Sequence, residues 1–154
     1  MTSNVLVGLQ MDDEFLEVND LDWFASYRDG ALAHFTTAGH GFVPDSVRVS
    51  MSKFELLYDY FHSLTEVFEC EIEEGNLEFF ESEAKRERYL RSFVSMAKKG
   101  LYSYDAENEG YTLIAKPRGG LKLVDLPEEI KAALGIISVD SSDNIKIIKS
   151  FSVE

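Results

Sequence analysis

The side chains best suited to nucleophilic, acid–base or metal chemistry are three histidines, His34, His40 and His62, and a lone cysteine, Cys70. A zinc site needs three or four such ligands, or carboxylates, commonly at close spacing. No C-x-x-C, H-x-x-x-H or H-E-x-x-H joins these residues, and no glycine-rich phosphate loop or G-x-S-x-G elbow occurs. Cys70 lies among Glu66, Glu69, Glu71, Glu73 and Glu74, whose charge disfavours the thiolate that a nucleophile requires. It reads as a core-facing or half-buried side chain. His40 has the most freedom, because Gly39-His40-Gly41 leaves an imidazole exposed where general acid–base work is possible. Glycine-flanked loops are also simply turns. His34 and His62 fall in a strand and a helix, where packing roles are expected. The residue types therefore predict no metal, no cofactor and no catalytic set. A small enzyme or ligand-binding domain with its site around Gly39-His40-Gly41 stands as the alternative, as does a regulatory or adaptor domain.

Carboxylates are the abundant functional groups. The chain has 28 Asp plus Glu against 15 Lys plus Arg, a formal net charge of −13. Such a field repels nucleic acid and anionic membranes and attracts basic surfaces. Its placement is uneven. Residues 1–27 hold six acids (Asp12, Asp13, Glu14, Glu17, Asp20 and Asp22) and no Lys or Arg, and residues 66–83 hold eight Glu, again with no base. Blocks of one sign are often only a solvated face. Here they alternate with Phe15, Leu16, Val18, Phe68, Ile72, Phe79 and Phe80, so folded segments are expected. The candidate partner-binding residues are Asp12, Asp13, Glu14, Glu17, Asp20 and Asp22, or else Glu69, Glu71, Glu73 and Glu74. The expected partner is a basic protein, with no nucleic acid and no membrane, and the aromatic-rich stretches leave room for a homodimer.

The elements that must position these residues are legible from periodicity and turn chemistry. At 154 residues the chain is sized for a single domain, 1–154, that buries roughly 70% of its unfolded surface. Asp22 to Tyr27 and Ala31 to Thr36 read as a hairpin closed by Asp29-Gly30 in a type I′ turn. Ser52-Lys53-Phe54-Glu55 fits a capping box with Ser52 as cap and Met51 and Leu56 as its staple, followed by the stripe Phe54, Leu57, Phe61 and Leu64. A short strand is expected within Phe68 to Ile72. A second long helix is expected over about Glu78 to Lys99, its inner face Tyr89, Leu90, Phe93, Val94 and Ala97, with Gly100 as its left-handed stop. Strands follow at Leu101 to Tyr104 and Tyr111 to Ala115, joined by an Asn108-Glu109-Gly110 turn. Pro117-Arg118-Gly119-Gly120 turns the chain into Leu121 to Val124. Asp125 caps a short helix with Pro127 in its first turn and Glu128 at the box position. The apolar runs Ile136 to Val139 and Ile145 to Phe151 flank a Ser141 to Asn144 turn. The expected class is α+β: a mainly antiparallel sheet packed against two long helices, with a third short helix near the C-terminus. The apolar runs are too short to cross a membrane, no basic leader opens the chain, and one cysteine forms no internal disulfide, which predicts a cytoplasmic protein.

Several stretches together resemble small acidic immunity proteins of bacterial polymorphic or contact-dependent toxin systems. They are Asp22-Trp23-Phe24-Ala25, Ala33-His34-Phe35-Thr36-Thr37-Ala38-Gly39, Gly100-Leu101-Tyr102-Ser103-Tyr104-Asp105, Tyr111 to Pro117 and Asp125-Leu126-Pro127-Glu128. These are framework positions rather than a catalytic motif. The resemblance implies a protein-binding inhibitor of a cognate toxin, which a basic nuclease cleft would fit. It implies no particular binding residues.

Overall fold

A computed structural model describes residues 9–107, 110–141 and 147–148. Among the described residues, five helices and seven strands follow in the order α1 (Asp13–Val18), β1 (Asp22–Ser26), β2 (Leu32–Thr36), α2 (Asp45–Arg48), α3 (Met51–Ser63), β3 (Cys70–Ile72), α4 (Glu83–Lys98), β4 (Tyr102–Glu107), β5 (Gly110–Pro117), α5 (Glu128–Ala133), β6 (Gly135–Ile136) and β7 (Ile147–Ile148). The strands form one sheet in the order β3-β5-β4-β2-β1-β6, and β7 also pairs with β5. The class is α+β as expected, but the sheet is mixed: β1 runs parallel to β6 and β2 parallel to β4, while the other pairings are antiparallel. The long excursion through α2, α3, β3 and α4 returns the chain beside β2 in the same direction, which a hairpin cannot do.

Alternation along the strands divides the core between two faces. On one face Trp23, Phe35, Tyr104 and Tyr111 form an aromatic layer, with Trp23 stacked on Phe35 at 4.2 Å and Phe35 on Tyr104 at 5.0 Å between ring centroids. Leu16 of α1, Phe42 and Val47 close over it. The buried polar tips are satisfied: Trp23 Nε1 donates to Tyr111 Oη at 3.1 Å, Tyr111 Oη donates to the Phe42 carbonyl at 2.6 Å, and the Tyr27 and Tyr104 hydroxyls bond each other. On the opposite face Phe24 and Leu32 meet Leu57 and Phe61 of α3 and Ile130 of α5. Ile114 and Ala115 meet Leu90, Phe93 and Ala97 of α4, with the half-buried Cys70 at the margin of that cluster. No helix among the described residues is long and apolar enough to cross a membrane.

Local geometry departs from the sequence expectations at several ends. In the hairpin only Gly30 has positive φ, Gly30 N bonds the Tyr27 carbonyl and Tyr27 N bonds that of Ala31. The connection is therefore a three-residue loop ending on a left-handed glycine, not a type I′ turn at Asp29-Gly30. The α3 cap is Ser50, whose hydroxyl accepts from Lys53 N at 3.2 Å, so the helix starts before Ser52 and the capping box and staple there do not form. Ser82 caps α4, which begins five residues after Glu78. Asp125 caps nothing in α5; its carboxylate accepts from Lys122 N at 3.2 Å across a 3-10 turn over Leu123–Asp125, and α5 starts after Pro127 without a side-chain cap. Met96 joins Leu90, Phe93 and Ala97 on the inner face of α4, and Gly100 ends the helix with φ +104°. The turn at Asn108-Glu109 and most of Ser141 to Asn144 and of Ile145 to Phe151 lie outside the described residues.

Candidate functional site

Sheet registry brings together residues far apart in the chain. On the helix-covered face one row runs Phe24, His34, Ser103, and the next runs Asp22, Thr36, Asp105, Thr112. The first row and Asp22 build an arrangement with the composition of a hydrolase triad. His34 Nδ1 lies 2.7 Å from Ser103 Oγ, and His34 Nε2 lies 3.0 Å from Asp22 Oδ1. Burial alone would raise the Asp22 carboxyl. The hydrogen bond and charge of His34, with Thr36 and His62 behind it, outweigh that and hold it below its ordinary value. An ionised carboxylate only accepts, so Nε2 carries a proton toward Asp22, and Nδ1 and the Ser103 hydroxyl share the other hydrogen bond. A nucleophilic serine needs a base and an approach for substrate. Ser103 is 0% exposed and His34 1%, so substrate cannot reach the hydroxyl without parting the sheet from its helices. The network pins β1, β2 and β4 together.

His62 extends this cluster from α3. Its Nε2 is 3.3 Å from Asp22 Oδ2, yet the pair is misaligned for a hydrogen bond and the nitrogen has no hydrogen-bond partner among the described residues. Burial lowers the His62 pKa, with Asp22 pulling the other way. Its ring stacks on Tyr58 at 4.0 Å, and its backbone carbonyl accepts from the buried Lys99 Nζ at 2.8 Å, a cation at the negative end of α3. Among the described residues, no three His, Cys, Asp or Glu side chains could hold a metal ion together.

The acidic segments fare differently from each other. Glu69 and Glu71 both pair with Arg118, Glu73 pairs with Lys116, and Glu74 pairs with Arg86 at 2.7 Å. Antiparallel pairing of β3 with β5 and the approach of α4 supply the bases that the local sequence lacks. In the N-terminal segment Asp12 caps α1, Asp13 pairs with Arg48 at 2.8 Å, and Asp20 accepts from Ala38 N at 2.8 Å and fixes the turn at that left-handed residue. Glu14 and Glu17 are exposed and meet no cation among the described residues. Glu17 and Asp13 line an open groove of about 310 Å³ with Gly39, His40, Phe42, Asp45 and Arg48. His40 is exposed there and its ring makes no hydrogen bond among the described residues.

Composition could not single out Asp105, Glu107 and Glu78, which gather in a second depression on the other face, at the same end of the sheet. Only the parallel registry of β2 with β4 places Thr36 beside Asp105 and so joins that depression to the N-terminal acids. Phe79, at its rim, is 90% exposed. Compared with protein-family models, curated proteins and solved structures, the chain has no significant match in any of the three.

Proposed function

We propose that this chain is a binding protein that neutralises a basic protein partner, in the manner of the immunity proteins it resembles, and that it docks through the end of the sheet where Asp20, Asp105, Glu14 and Glu17 lie. The observation that carries this reading is the segregation of charge. The glutamates of β3 and the turn after it are matched by Arg118, Lys116 and Arg86, while Glu14 and Glu17 of α1 are exposed and meet no cation among the described residues. An exposed phenyl ring, Phe79, lines the depression that holds Asp105, and interface energy concentrates in such apolar anchors while acids steer the encounter. A basic cleft that must hold a phosphate backbone is complementary to this combination. The test is co-expression with the product of the adjacent gene, followed by pull-down at physiological salt. A stable complex is expected, and Glu14→Lys with Glu17→Lys should slow its association about tenfold. No complex with the product of any neighbouring gene would remove the reading.

A further inference from the structure

The depression behind Phe79 has the features of a built site. Its walls are Phe79, Phe80, Tyr89, Asp105, Glu78 and Thr112, with Glu107 at the edge, and its volume is about 210 Å³. That is smaller than the roughly 300–1,000 Å³ of most cofactor and metabolite sites. Three carboxylates line it, and among the described residues no Lys or Arg does. Asp105 is held in place by Tyr89 Oη, which donates to its Oδ2 at 2.6 Å. Burial, helped by the charge of Asp20 and opposed by the Tyr89 and Ala106 hydrogen bonds and by His40, leaves the Asp105 carboxyl above its ordinary value. The Phe80 and Tyr89 rings lie 5.5 Å apart and offer aromatic faces beside these acids.

Thr112 is the independent observation. It is 2% exposed, its Oγ1 has no hydrogen-bond partner among the described residues, and it stands opposite Asp105 in the sheet registry on the face that lines the depression. A buried hydroxyl without a partner is costly, and since Thr112 lines the depression, a ligand that displaces the side chains covering its oxygen would complete it. Hydroxyl acceptor, carboxylates and aromatic faces together match a planar cation with several N–H donors.

We propose that this depression binds an alkyl guanidinium, the arginine side chain of the basic partner, with the head between Asp105 and Thr112 and its plane against Phe80 and Tyr89. The inference rests on the binding reading above for the source of the arginine, but not for the pocket's chemistry. Carboxylate pairing supplies affinity, the aromatic faces a cation–π contribution, and Thr112 selects a group that donates at depth.

The test uses the full chain and monomeric probes, N-acetyl-arginine amide, agmatine and N-acetyl-citrulline amide, followed by amide NMR shifts. Saturable shifts centred on Asp105 and Thr112 are expected with the two guanidines and none with the neutral citrulline amide. Asp105→Asn should weaken binding about tenfold and Thr112→Val about threefold. Both variants should keep the remaining spectrum, since Thr112→Val removes a buried hydroxyl without a partner among the described residues and Asp105→Asn keeps an oxygen acceptor for Tyr89. Equal response to citrulline amide, no saturation in the folded protein, or unchanged affinity in both variants overturns the proposal. Agmatine binding at least tenfold tighter than arginine amide would keep the guanidinium chemistry and transfer the site to a free guanidine. A partner complex indifferent to Asp105→Asn would sink the assignment to the partner's arginine yet leave the binding function standing. Arginine amide binding without any partner complex would do the reverse.

Discussion

Replacing Asp22 with Ala tests the buried network most directly. The substitution deletes the acceptor of His34 Nε2, a donor on a side chain that is 1% exposed and has no water to turn to. Leaving a buried donor unpaired costs about 1–3 kcal/mol, and the lost bond was to an ionised acceptor, which places the expected loss at about 2–3 kcal/mol. In a domain of this size each kcal/mol moves Tm by about 2–4 °C, so Asp22→Ala should lower it by roughly 4–12 °C. Asp22→Asn retains an oxygen acceptor and should lose less than half as much. Ser103→Ala orphans the other ring nitrogen, so the double variant should lose less than the sum, because both singles act through one imidazole. The acid dependence has a defined sign. Asp22 has a folded pKa below its ordinary 3.8, so its contribution is complete above that pH and is lost as pH falls through the folded value; both Asp22 variants should flatten this limb. His62 has a folded pKa below 6.5, so the unfolded chain takes up its proton first and stability declines as pH drops below 6.5. Urea unfolding at pH 7, 5 and 3.5 measures these terms. A loss under about 0.5 kcal/mol for Asp22→Ala, or equal losses for Ala and Asn, would refute the network as described.

Three further outcomes follow from local geometry. Ser50→Ala should destabilise by about 1 kcal/mol, and Ser52→Ala by less than half of that, because only Ser50 accepts from an orphan helix amide; chemical denaturation of the two variants separates them. Gly100→Ala should cost about 3 kcal/mol or more, because φ is +104° and a Cβ would sit 2.7 Å from Leu121 N; a near-neutral urea midpoint would contradict this. Asp105→Asn should raise Tm at pH 7 by on the order of 2 °C, kept small by the solvent that reaches the carboxylate. The raised folded pKa of Asp105 means its ionisation works against the fold, so this gain should vanish as pH falls below 3.8.

The binding reading and the arginine pocket make different demands on the same end of the molecule. Glu14 and Glu17 act at a distance, through field and encounter rate, so their reversal should be screened by salt. Asp105 and Thr112 act by contact, so their loss should appear in dissociation and persist at higher ionic strength.

Legibility followed the range of the interaction. Periods of two and of three to four residues located β1, β2, β4, β5, α3 and α4, and Gly100 marked its helix stop, because these are properties of neighbouring residues. The sequence misplaces two caps: Ser50 and not its neighbour Ser52 accepts from the α3 amide, and Asp125 closes its own 3-10 turn instead of α5. The candidate site was least legible. Acid clusters at 12–22 and 66–83 are visible in the chain, but their residual charge is not: Glu71 meets Arg118 and Glu74 meets Arg86 only after the sheet and α4 are assembled. Likewise Asp22, His34 and Ser103 converge through the registry of three strands, and Asp105 faces Thr112 through a fourth. Local sequence determines conformational preference and total charge. Which carboxylates meet a base, and which are drawn into the fold's half-buried clefts, depends on cross-strand neighbours that only the folded sheet brings within reach.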